Sequence, residues 1–72
     1  MEPPYKPTHI RAWRKERGMT MVELALKAGM QQGHLSKLER GVMPYTQQSL
    51  ERVAEALGVT PGALIDLPPP ER

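Results

Sequence analysis

The chain of 72 residues has no cysteine and no phenylalanine, and its aromatic residues are one tryptophan and two tyrosines. Without thiols there is no disulfide staple and no thiolate metal site, so the fold has to rest on packing and suits a reducing compartment. Two histidines, His9 and His34, cannot alone close a metal site. No apolar run approaches the ~20 residues of a membrane span, and residues 1–7 lack the hydrophobic segment of a signal peptide, so a cytoplasmic protein is expected. There is no repeat of solenoid length, no glycine-rich phosphate loop and no metal motif. His34, Ser36 and Glu39 share one short stretch, where Ser36 and Glu39 cannot both flank His34 around a substrate cleft. Neither an enzyme nor a cofactor is predicted.

A chain this short is expected to form one domain with a small core, with no second, ligand-sensing one. A net charge of +2 is by itself a poor argument for a nucleic-acid partner. Its distribution says more. Residues 1–40 hold eight Lys and Arg against four Glu, whereas residues 41–72 hold two Arg against four Asp and Glu.

Three prolines in residues 1–7 predict an extended N-terminal arm, in which Tyr5 and Lys6 could touch a nucleic-acid backbone. Thr8 can cap a first helix running to Arg17, with Ile10 and Trp13 facing inward and Gly18 ending it. Trp13, the largest side chain, reads as a core anchor rather than a base-stacking platform. Thr20 and Glu23 form a capping box for a second helix reaching Ala28, with Met19 and Leu24 as its hydrophobic staple. After a third helix, Pro44 prevents continuation and Thr46 caps a fourth that ends at Gly58, with Leu50, Val53, Ala54 and Leu57 on one stripe. Its other side, with Gln48, Glu51, Arg52 and Glu55, reads as solvated. Thr60 and Pro61 start a short fifth helix, and Pro68, Pro69 and Pro70 open a proline-rich tail over residues 68–72. The predicted core is Ile10, Trp13, Met19, Leu24, Ala25, Ala28, Met30, Leu35, Leu38, Leu50, Val53, Ala54, Leu57 and Leu64.

The stretch from Gly29 to Gly41 organises the rest. Leu35 and Leu38 fall on one side of a 3.6-residue helix, while Gly33, Ser36, Lys37 and Arg40 turn to the other. So short a helix is not stable alone and must be held by neighbours. Only Gly29, Met30 and Gln31 separate it from the second helix, and two helices joined by a tight glycine-containing turn make a helix-turn-helix. Ala25 sits where a small residue lets the two cross closely.

Ile10-Arg11-Ala12-Trp13-Arg14, Gly18-Met19-Thr20, Leu24-Ala25, Gly29, the run Leu35 to Gly41 and Leu50 to Val59 together resemble the Cro and phage-repressor family of bacterial regulators, over Thr8 to Leu67. The resemblance implies an all-α, five-helix lambda-repressor-like fold over residues 8–67. It also implies a sequence-specific regulator of transcription that binds double-stranded DNA, a repressor acting as a homodimer on a palindrome. An antidote of a toxin pair, binding a protein partner, is the alternative.

By the same resemblance, Gln32 matches a base-reading glutamine and can bond adenine N6 and N7, while Lys37 can donate to guanine O6 or N7. Gly33 either allows close approach or contributes nothing, Ser36 faces a base, and His34 a base or a phosphate. Thr20, Gln31, Arg40 and Tyr45 are the expected phosphate contacts, with Tyr45 also readable as a core cover. Met21 stands where the family often carries a phosphate-binding glutamine. Arg14 and Glu39 are marked as an ion pair joining the first helix to the third. Ile65, Leu67 and the last helix are the apolar candidates for a dimer surface.

Overall fold

Thr20, Thr46 and Thr60 each precede a run with helical apolar spacing, and each hydroxyl accepts the backbone N–H three residues on, at Glu23, Ser49 and Ala63. These caps satisfy donors that a helix start leaves open, and they set where three of the helices begin. The computed structural model describes residues 8–70; the arm expected over residues 1–7 and the last two residues of the tail lie outside the described residues. In chain order the helices are α1 (Ile10–Glu16), α2 (Met21–Ala28), α3 (Gln32–Arg40), α4 (Gln47–Leu57) and α5 (Pro61–Asp66). No strand occurs among the described residues.

The turn between α2 and α3 follows from Gly29, whose φ of +67° is a left-handed value that a side chain would strain. That geometry lets the Met30 N–H reach back to the Ala25 carbonyl at 3.0 Å, closing α2 and redirecting the chain within three residues. Gly41 closes α3 in the same way, with Val42 N–H bonded to the Lys37 carbonyl at 3.1 Å.

One departure concerns α1, which is shorter than the sequence reading at both ends. His9 occupies its cap position without a side-chain cap, and Arg17 is the C-cap. The Thr8 hydroxyl instead donates to the Leu38 carbonyl at 3.3 Å, leaving only a 3.5 Å contact with the Ile10 N–H. A cross-link to α3 has displaced most of the local cap.

All five helices send side chains to one core, in which Ile10, Leu24, Leu35, Leu38, Val53 and Leu64 are essentially sealed. Met19 and Met30, expected inside, are only partly buried and pack against its edge beside Met21, Met43 and Tyr45. Both follow a left-handed glycine, where the chain is leaving a helix and one side of the residue stays open. Ala63 belongs to the core without being expected there, because a six-residue helix is too short for a period to show. Trp13 is buried as expected, and its indole N–H donates to the carbonyls of Ala63 at 3.2 Å and Leu67 at 2.9 Å. The Arg17 guanidinium lies 5.3 Å from the Trp13 ring while its Nε donates to the Leu57 carbonyl at 2.9 Å. A cation thus sits at the carbonyl end of α4, where the helix dipole favours it.

Candidate nucleic-acid interface

Leu35 and Leu38 pin α3 to the core, and this fixes which of its side chains remain outside. Gln32, Gly33, His34, Lys37 and Arg40 are exposed, and Ser36 is half-buried. The side chains of Gln32, His34 and Lys37 have no hydrogen-bond or ion-pair partner among the described residues. Gln31, at the N-cap, makes no side-chain cap either, so it supplies no acceptor to the first N–H groups of α3.

The one carboxylate of α3 is held away from this face. Glu39 Oε1 accepts from Arg14 Nε at 2.8 Å, with the two side chains only 5% and 14% exposed, and Arg14 Nη1 donates to the Met19 carbonyl at 2.9 Å. One guanidinium therefore links α1, α3 and the entry to α2. With its acid turned inward, the outer face of α3 is polar and positive.

Grooves among the described residues run along α3 on more than one side. One, of about 440 Å³, is lined by Gln31, Gly33, His34, Lys37, Val42 and Met43. A second, between α1, α2 and α3, is lined by Arg11, Arg14, Met21, Ser36, Glu39 and Arg40. In the third, Gln31 and His34 meet Gly29, Met30, Thr46, Gln48, Ser49 and Arg52 of the turn and α4. Gln31 and His34 thus form the ridge between the first and third grooves.

Residues grouped together in the sequence reading are consequently divided. Gly33 and Lys37 share one groove, whereas Ser36 and Arg40 share another, and Arg40 Nε leans back on the Ser36 carbonyl at 3.4 Å. Thr20 is exposed at the start of α2, where its hydroxyl accepts the Glu23 N–H at 3.1 Å and its N–H donates to Glu23 Oε1 at 3.0 Å. These bonds hold the Glu23 carboxyl below its usual range, the backbone bond from Thr20 most strongly, with the Thr20 side chain and Lys27 adding to it. Tyr45 packs partly on the core. Arg11, Val42, Met43 and Arg52 line these grooves without being expected to. Arg11 lies one turn before Arg14, a visible signal, but the placement of Arg52 depends on how α4 folds back.

An all-helical core holding up a short helix with an uncovered polar, cationic face, joined to its predecessor by a three-residue turn, defines a helix-turn-helix domain. The sequence profile of the helix-turn-helix family matches residues 10–64, and the chain belongs to that family. It is 41% identical over 56 residues to an immunity repressor protein of Bacillus phage phi105, covering 78% of this chain and 39% of that protein. With the HTH-type transcriptional regulator SinR of Bacillus subtilis it shares 40% identity over 58 residues, covering 79% and 52% of the two chains. The chain thus spans about half the length, or less, of these relatives. A crystal structure of SinR in complex with DNA matches at a TM-score of 0.74 and 40% identity, covering 79% of this chain and 92% of that one. Among the described residues, no helix is long and apolar enough to cross a membrane.

Proposed function

We propose that this chain is a sequence-specific, double-stranded DNA-binding regulator of transcription, a repressor that acts as a dimer on a palindromic operator in the cytoplasm. The observation that carries the reading is the outer face of α3, where Gln32, His34 and Lys37 are exposed and have no partner among the described residues while Glu39 is locked to Arg14. Such a helix fits the major groove, whose base edges offer distinct donor and acceptor patterns. The likeness to a DNA-bound relative supports it.

In this reading Gln32, Gly33, Ser36 and Lys37 meet bases, with His34 at a base or a phosphate. Thr20, Gln31, Arg40 and Tyr45 meet phosphates. The role is binding, not catalysis. Selection from a random duplex library, followed by sequencing of the bound pool, tests it. A two-fold symmetric motif with half-sites about one helical turn apart is expected; recovery of a pool as random as the input would refute it.

A further inference from the structure

Glycine in a helix costs stability relative to alanine, so a helical glycine calls for a reason. Gly18, Gly29, Gly41 and Gly58 have one, since each has a φ between +66° and +73°. Gly33 has none in the fold. It lies in the first turn of α3 with no positive φ, and a methyl group built on its Cα would meet no atom within 4 Å. Gly62 in α5 shares both properties but lines none of the grooves beside α3. What separates Gly33 is its place on the outer face of α3, next to Gln32 and one turn before Lys37.

The groove beside it is mixed in chemistry. Gln31, His34 and Lys37 supply polar lining, and Val42 and Met43 supply an apolar wall. Val42 is 42% exposed, although it follows the glycine that closes α3. A base edge that suits both a bare Cα and an apolar wall must itself be apolar. In the major groove the one apolar group that any base presents is the C5-methyl of thymine.

We infer that Gly33 is a specificity-determining residue, and that the space above its Cα receives the C5-methyl group of a thymine, with Val42 and Met43 as the wall beside it. Gln32 and Lys37 on either side then read polar edges of neighbouring pairs, while Gly33 reads shape. The inference rests on the DNA-binding reading and gives it a particular base at a particular residue.

The test pairs two glycine variants with one change in the DNA. On the duplex selected by the parent protein, replacing the relevant thymine by uracil removes only the methyl group and should weaken binding about fourfold. Gly33→Ala should raise the melting temperature by roughly 2 to 8 °C, from helix propensity. The same variant should bind the selected site roughly tenfold more weakly, because its methyl occupies the space, while keeping its affinity for random duplex. In that variant the change from thymine to uracil should no longer weaken binding. Gly62→Ala should also raise the melting temperature but leave DNA binding alone. Val42→Thr, of the same shape, should reduce the thymine-over-uracil preference.

Unchanged affinity of Gly33→Ala for the selected site would overturn the inference, as would neutrality of uracil at every thymine of the half-site. Both results would leave the DNA-binding reading standing. Failure of the parent to select any sequence would remove that reading and this inference with it.

Discussion

Arg14 and Glu39 sit 25 positions apart, and nothing in local spacing joins them. Their pairing is legible through family resemblance alone, and the bond from Arg14 to the Met19 carbonyl is not legible at all. With side chains this buried, removing one partner strands a charge, so Glu39→Ala should cost about 3 kcal/mol or more. Changing both to apolar residues of similar volume should cost less than the sum of the single changes. Thermal melting of the three variants checks this, and a Glu39→Ala curve that overlays the parent would contradict it.

Lys37 and Arg40 make a second residue-scale contrast, since they line different grooves of one helix. If Lys37 reads a guanine, Lys37→Ala should relax base preference at a cost of roughly 1 to 3 kcal/mol. Arg40→Ala should weaken binding to every sequence and reduce the salt slope by about 0.9 for each phosphate that Arg40 neutralises. Titrations on selected and random duplex at several salt concentrations separate the two. An equal loss on both duplexes for Lys37→Ala would mean that it holds only phosphate.

At the scale of elements, the signals with a chemical cause are the readable ones. The Thr20–Glu23 box, the Thr46 and Thr60 caps, the turn at Gly29 and the α4 stripe all stand in the sequence as they stand in the structure. The start of α1 is misread because its cap competes with a partner 30 residues away, the Leu38 carbonyl, and no local pattern encodes that competition. The anchoring of α5 is equally hidden: Trp13 holds it through two carbonyls, and the His9 N–H holds it through the Leu64 carbonyl.

The capping box also makes α2 sensitive to acid. Because the folded protein holds Glu23 below its ordinary value of 4.5, the charged carboxyl stabilises α2 above that pH, and the contribution fades as pH falls through the lowered folded value. Glu23→Gln keeps an acceptor but loses the charge near the helix N-terminus. Its melting temperature should lie below the parent's at pH 7, and the gap should close on acidification. A gap that persists or widens in acid would contradict the assignment.

At the scale of the molecule, the described residues span 28 × 27 × 20 Å, against the ~34 Å between successive major-groove faces on one side of a duplex. The proposed dimer would place one α3 of each copy in adjacent major grooves. The apolar surface is less simple than the sequence reading has it. Leu67 is 62% exposed and Ile65 remains partly exposed, while Val22 and Leu26 on α2 form a further exposed apolar surface. If the last helix carries the dimer, Leu67→Asp should abolish cooperative binding to a palindrome in sedimentation experiments with DNA, and Leu26→Asp should not. The opposite pattern would move the dimer surface to α2.

Whether the outward face of α3 meets the DNA is tested most directly by backbone amide NMR during titration with the selected duplex. The largest shift changes are expected at Gln31 to Lys37, with smaller ones at Thr20, Met21, Arg40 to Val42 and Tyr45, and little change at Glu51 and Glu55. Changes concentrated on Val22, Leu26 or α5, with α3 unmoved, would contradict it.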